Sequence, residues 1–306
     1  MIIIIGAADE EHSAFICDKL QKRGAETEYL DTRCFPQESC IAFSPSQQED
    51  QSGFFRTSAS GKKIYFNQIQ SVYWRYFMGV HVPGDITDDF LREIAHRESE
   101  SLIGSFFRAM PNTLWVNSVE AVEMHRYKGY QLSLLSKAGL RVPETLMTND
   151  PEALVDFYKR MNGQVIFKPV RGGAHTEKLK DEDLKPERLK ELAKAPVQFQ
   201  EFVPGVDTRA YLIGDDIFAA EIRAKSLDFR DDPGAEIAPV ELPDNILTDC
   251  RTLAKELKLV FTGIDIRKTP DGEYVFIEGN PAPMFIYFER QSKFPISDRL
   301  CDLLMR

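Results

Sequence analysis

A mixed α/β (α+β) fold of more than one domain is predicted for this chain by three observations. The chain opens with the β-branched run Ile2–Ile5, then Gly6, a helical stretch over residues 10–22 and a second strand, Thr27–Leu30. Its later part carries strong hairpin signals, Gly214-Asp215-Asp216 between residues 207–213 and 217–223, and Pro270-Asp271-Gly272 between two apolar runs. With 306 residues and 43% hydrophobic content, it is long enough for two or three modest domains with their own cores.

Taken in order, the first strand, helix and strand close at Gly24 and Leu30, and Gly6 starts no G-x-G-x-x-G. An ordinary strand-to-helix turn is therefore expected there, with no cofactor. Residues 44–62, rich in Ser, Gln and Gly, read as surface loop with a small hairpin; residues 71–75 resume as strand. A helix over 85–108 carries charges as a solvated face, and Pro111 and Asn112 punctuate the chain before Leu114–Val116. The next segment reads as a helix over 120–138 ended by Gly139, a strand over 142–147, a helix capped by Asp150, and a strand over 164–168. That strand enters the loop Pro169-Val170-Arg171-Gly172-Gly173-Ala174-His175. A helix over 185–193 and a strand over 197–203 follow, then the hairpin 207–223, loop 226–236, helix 245–257, the second hairpin and a terminal helix 298–305. There is no internal repeat.

Composition narrows the partners. A formal charge of −10 opposes non-specific attraction to nucleic acid or anionic lipid, so small molecules or a peptide are the expected ligands. Met1 to Ile5 is too short an apolar run for a signal peptide, and no later run has membrane-spanning length, which predicts a cytoplasmic protein. The five cysteines contain no C-x-x-C pair and are odd in number, so reduced thiols are expected.

Chemistry collects in four places. In the last hairpin, strand alternation puts Asp265 opposite Ile264 and Ile266, and Glu278 and Asn280 opposite Val275 and Ile277. Three hard oxygen donors that can converge suit Mg²⁺; an acidic solvent-facing hairpin is the plain alternative. Lys128 on a helix, and Lys168 at a strand end before Gly172 and Gly173, can both face phosphate, although no Walker motif is present and each alone also reads as a surface lysine. In Gln200-Glu201-Phe202-Val203-Pro204-Gly205 a strand ends and turns, and its exposed backbone can pair with a nucleotide base. Asp207 can accept from ribose hydroxyls, while Arg209 and Arg223 can neutralise phosphate or a developing anion; a cross-strand surface network is the alternative.

The order Lys128, Lys168-Pro-x-x-Gly-Gly, Gln200-Glu-Phe-Val, Asp207-x-Arg209, Arg223, Asp265, Glu278-x-Asn280-Pro resembles the ATP-grasp superfamily over about residues 112–306. Gln131-Leu-x-Leu-Leu and Gly139-Leu-x-Val-Pro143-Glu-Thr look like its RimK-type branch. The runs 71–75, 98–104, 114–117, 218–223, 228–230 and 285–304 are similar to the microviridin-type (graspetide) peptide macrocyclases. The resemblance implies a three-domain ATP-grasp fold: an N-terminal α/β domain over 1–113, a central lid domain over 114–200, and a C-terminal antiparallel-sheet domain over 201–306 with the metal site. It also implies ATP and Mg²⁺, a carboxylate activated as an acyl phosphate, and attack by a Thr or Ser hydroxyl or Lys amine of the same precursor peptide. Under it Lys128, Lys168, Gly172 and Gly173 contact phosphates, Glu201, Phe202 and Val203 meet adenine, and Asp207 meets ribose. Asp265, Glu278 and Asn280 hold the metal, and Arg223, Lys168 and Arg209 stabilise the reacting charge. A homodimer is a further implication. A RimK-type ligase adding a free amino acid, and a nucleotide-binding regulatory module without catalysis, are the competing expectations.

Overall fold

The computed structural model describes residues 1–45, 53–57, 60–110, 113–171, 175–224 and 234–306. The chain divides into two compact units, one of Met1–Val119 with Met284–Ile286 and Pro295–Arg306, the other of Glu120–Pro283 with Tyr287–Phe294.

The first unit is built from β1 (Ile2–Ile5), α1 (Glu11–Lys22), β2 (Thr27–Leu30), β3 (Cys40–Phe43), β4 (Gly53–Arg56), β5 (Lys63–Tyr65), β6 (Ser71–Trp74), α2 (Asp89–Arg108) and β7 (Leu114–Val116). β2-β1-β6-β7 form a parallel sheet, and all four isoleucines of β1 are buried, as a strand covered on both faces requires. The Glu10 carboxylate caps α1 by accepting from the Ser13 N–H at 2.7 Å, and a Cβ on Gly6 would meet Ser13 Oγ at 2.3 Å. Gly6 thus serves close packing of strand against helix. The expected small hairpin lies in an antiparallel β3-β4-β5 sheet, whose Phe55 meets Phe106 of α2 edge-on at 5.8 Å.

The second unit contains α3 (Val119–Met124), α4 (Lys128–Lys137), β8 (Thr145–Thr148), α5 (Pro151–Arg160), β9 (Val165–Pro169), β10 (Glu177–Lys178), α6 (Pro186–Leu192) and β11 (Val197–Glu201). It continues through β12 (Val206–Ile213), β13 (Asp216–Arg223), β14 (Glu236–Val240), α7 (Asp244–Glu256), β15 (Phe261–Lys268), β16 (Tyr274–Asn280) and α8 (Ile286–Ser292). Strands β10-β9-β11-β8 make one antiparallel sheet over a core of Leu154, Phe157, Val165, Leu179, Leu192 and Phe199. Strands β14-β13-β12-β15-β16 make a second, whose buried face packs Ile264, Ile266 and Phe276 with Leu135, Cys250 and Leu253. α9 (Ile296–Leu304) belongs to the first unit, where the Leu304 carbonyl accepts from Ser71 Oγ at 2.6 Å.

Several expectations are corrected. The helix over 120–138 is two helices, broken at residues 125–127, although no Gly or Pro marks the break. The strand over 142–147 starts only at Thr145, beyond Pro143, which lacks a backbone donor. Residues 226–233 of the expected loop lie outside the described residues, and Glu236 already begins β14 on the sheet edge. α8 was not expected. Most consequential is the last hairpin, where a bulge follows the Asp265↔Glu278 pair, so that Ile266 pairs with Phe276 and Arg267 with Val275. Val275 therefore shares the face of Asp265 and Glu278 instead of lying opposite them. All five cysteines are free thiols, and among the described residues no helix is long and apolar enough to cross a membrane.

Candidate active site

Three adjacent strands of the second unit build the site. Antiparallel register sets Arg209 of β12 opposite Asp265 of β15, and Asp265 opposite Glu278 of β16, so cation, carboxylate and carboxylate form one row on one face. Arg209 Nε donates to Asp265 Oδ1 at 2.7 Å, with its Nη2 at 2.5 Å from the same oxygen. Lys128, the first residue of α4, ion-pairs with Glu278 Oε2. Asn280, opposite Gly263, accepts from the Ala282 N–H at 3.0 Å through Oδ1. The next row on the same face pairs Asp207 with Arg267, whose Nη1 lies 2.6 Å from Asp207 Oδ1.

The electrostatics of the row are uneven. Burial disfavours the Glu278 carboxylate, but the Lys128 charge and hydrogen bond, aided by the Lys168 charge, bring its pKa down to about 2. Asp265 moves the other way. Burial raises it, Arg209 opposes, and the facing Glu278 adds repulsion, leaving it above the ordinary aspartate value. Burial, then the neighbouring Lys128 charge, holds His125 below the usual histidine value, which favours a neutral ring.

Glu201, Phe202 and Val203, expected to meet adenine, sit at the end of β11. Glu201 is 2.5 Å from Arg141 Nη2, the Phe202 ring carries Lys178 Nζ 3.9 Å from its centroid, and the Val203 carbonyl accepts from Arg267 Nε at 3.1 Å. Gly205, at φ +139°, turns this segment against β15, where a Cβ would fall 2.0 Å from the Lys268 carbonyl oxygen. Lys168, on β9 opposite Gln198, acts electrostatically on Glu278. Gly172 and Gly173 lie outside the described residues. Arg223 is not brought into the group: register places it on the other sheet face, where it is 57% exposed and 3.5 Å from Glu221.

Sequence reading missed Arg267 and Gln131. Arg267 stands two residues after Asp265 in a strand, so alternation already placed it on the carboxylate face. Gln131 follows Lys128 by three, one helical turn on, which marked it as a neighbour on the same helix face.

Among the described residues no three His, Cys, Asp or Glu side chains gather as a metal cluster. A divalent ion held by this row would take two carboxylates and the Asn280 amide oxygen, leaving coordination positions for water and phosphate. That donor set fits Mg²⁺. Each carboxylate has about four lone-pair directions, so Arg209 and Lys128 do not exhaust them, and the Glu278 repulsion that adds to burial in raising Asp265 is what a divalent cation would relieve.

Comparison with known proteins adds the following. Residues 1–123 match the MvdD pre-ATP grasp domain, and residues 125–304 match the RimK-like ATP-grasp domain. The structure is similar to that of the ATP-grasp ligase PsnB complexed with a phosphomimetic variant of its minimal precursor, Mg and ADP, at 33% identity and TM-score 0.84, covering 99% of this chain and 97% of that one. It is also similar to the macrocyclase MdnC of Microcystis aeruginosa MRC bound with precursor peptide MdnA, at 25% identity and TM-score 0.85, covering 100% and 99%. The alpha-aminoadipate–LysW ligase LysX of Sulfurisphaera tokodaii is 30% identical over 189 residues, 56% of this chain and 65% of that ligase.

Proposed function

This chain belongs to the RimK-like ATP-grasp family of ligases, and from that premise we propose that it crosslinks side chains of a ribosomally made precursor peptide. A side-chain carboxylate of the peptide attacks the γ-phosphorus of ATP, giving an acyl phosphate and ADP. A Thr or Ser hydroxyl, or a Lys amine, of the same peptide then attacks the acyl carbon and expels phosphate, leaving an ester or amide ring. The observation that carries this reading is the likeness to PsnB over 99% of the chain, in a complex of that ligase with a precursor variant, Mg and ADP.

The residues take the following parts. ATP supplies the phosphoryl group, and Asp265, Glu278 and Asn280 would hold Mg²⁺, which when bound would neutralise phosphate charge. Lys128 and Lys168, with the backbone of Gly172 and Gly173, carry the remaining phosphate charge. Glu201, Phe202 and Val203 line the adenine, and Asp207 accepts from ribose. Arg209, fixed by Asp265 and kept protonated, stands ready to stabilise the anion that develops at the acyl carbon, a part that Arg223, on the other sheet face, does not share. The reading also includes a division at residues 113 and 200 into N-terminal, lid and C-terminal domains, binding of a peptide leader by the lid segment, a homodimer and a cytoplasmic setting.

The likeness to LysX supports a second reading, addition of a free amino acid to a carboxylate. Incubation with ATP, Mg²⁺ and a short Thr/Ser/Lys- and Asp/Glu-bearing peptide encoded beside the gene, followed by mass spectrometry, separates the two. Each ring removes one water from the peptide mass. A gain of an amino-acid residue selects the second reading, and no ATP turnover with any peptide or amino acid contradicts both.

A further inference from the structure

β16 is an edge strand, so the backbone groups on its outer side have no strand to pair with. They are met by other parts of the same unit. The Phe276 N–H donates to the Arg141 carbonyl at 2.8 Å. At Gly279 both groups are taken by one side chain: Gln131 Nε2 donates to the Gly279 carbonyl at 3.0 Å, and Gln131 Oε1 accepts from the Gly279 N–H at 3.0 Å. Gln131 is 2% exposed, so this amide has no water to exchange with. On its other side, a Cβ at Gly279 would meet Leu253 at 2.8 Å and Leu257 at 2.9 Å. Gly279 is thus held between core leucines and a side-chain amide that acts as one residue of a missing strand.

The position of this clamp matters because of the bulge. In a regular strand, residues three apart turn their backbone groups to opposite edges, yet Phe276 and Gly279 both turn outward. The bulge between them reconciles this, and the same bulge sets Glu278 against Asp265 while Phe276 enters the core. A slip of one residue would carry Glu278 to the wrong face. Gln131 also lies one turn along α4 from Lys128, so a single helix grips both the Glu278 carboxylate and the backbone of the next residue.

We propose that Gln131 is a positioning residue for the metal-holding face: its amide locks β16 in the bulged phase that presents Glu278 and Asn280 beside Asp265, and so sets the affinity for magnesium-bound nucleotide. This rests on the reading of Asp265, Glu278 and Asn280 as the magnesium ligands. The test measures ADP binding by titration calorimetry with and without Mg²⁺, together with melting temperature, in the full chain. Gln131→Met keeps length and bulk but removes the amide. The expected result is that the gain in ADP affinity on adding Mg²⁺ falls at least about tenfold, the range seen when supporting groups of metal ligands are removed, while Mg²⁺-free ADP binding stays within about twofold. A full Mg²⁺ gain in Gln131→Met overturns the proposal. So does a parallel loss of Mg²⁺-free binding and melting temperature, which marks a purely structural residue. If Gln131→Met does not fold, Gln131→Glu, which keeps the acceptor for the Gly279 N–H, is judged by the same criteria. Glu278→Gln serves as the control. If it keeps the Mg²⁺ gain, the metal reading itself fails; if it loses the gain and Gln131→Met does not, only the role of Gln131 fails.

Discussion

Two half-buried carboxylates, Glu10 in the first unit and Asp265 in the second, each face an arginine, yet their surroundings drive them in opposite directions. Glu10 lies 3.1 Å from Arg75 Nε, accepts from the Ser13 N–H at 2.7 Å and Oγ at 2.8 Å, and is 3.3 Å from His12 Nδ1. His12 closes the network, because its Nε2 accepts from the Phe285 N–H at 3.1 Å. Burial works against the charge, but His12, Arg75 and Ser13 outweigh it and hold Glu10 far below the usual carboxylate range. Asp265 has its arginine too, but burial, with the repulsion of a second carboxylate added to it, leaves Asp265 above its ordinary value. Buried charge by itself is therefore not the mark of the site. The mark is like charge held together with incomplete compensation, a state a folded chain keeps where a ligand completes it.

The largest expected effect follows from that contrast. Asp265→Asn should cut ATP turnover by about 10²–10³-fold, the scale of losing an oriented electrostatic group, and Glu278→Gln should do likewise with the fold kept. Asp265→Asn should lower the melting temperature less than Glu10→Gln does, because a carboxyl with a raised folded pKa contributes least to stability once it is ionised. Phosphate release and calorimetric melting, run on the same preparation, check both halves; turnover near wild type in either variant would remove the metal assignment.

Glu10→Gln should do the reverse. Losing the hydrogen bonds of this half-buried charged group costs about 1.5–3 kcal/mol, while turnover per folded molecule stays unchanged. The pH dependence has a definite sign: a depressed folded pKa contributes stability that is full above the ordinary glutamate value of 4.5 and is lost as pH falls towards the folded value. The acid limb of the wild-type stability curve should therefore flatten in Glu10→Gln, measured by urea unfolding across pH. An unchanged acid limb would break the comparison from this side.

A smaller effect is expected at Arg267, which joins the Val203 carbonyl to Asp207. Arg267→Met should raise KM for ATP about tenfold, as expected for loss of a hydrogen bond to a charged group, with kcat little changed. A fall in kcat with constant KM would place Arg267 in the chemistry instead of the nucleotide grip.

How much of this was legible follows from range. Alternation within a strand is local, so Asp265, Glu278 and Asn280 were readable, and Arg267 was readable by the same rule. The bulge was not, because it is a property of how two strands pair and no residue type in 274–280 announces it. The break at residues 125–127 was equally silent, since helix ends without Gly or Pro are set by what the next helix packs on. β14 was hidden by Pro239, which is tolerated in this strand because it is on an edge. The Glu10 network joins residues 65 positions apart, beyond any pattern in a single sequence.

The central claim is that the carboxylate row serves to activate a peptide carboxylate through ATP, and an isotope measurement addresses it most directly. A precursor peptide with heavy oxygen in its acidic side-chain carboxylates is incubated with the protein, ATP and Mg²⁺, and the released phosphate is weighed. If the carboxylate attacks phosphorus and phosphate leaves from the acyl carbon, every ring formed should deliver one heavy oxygen to phosphate. Crosslinked peptide accompanied by unlabelled phosphate would contradict the account.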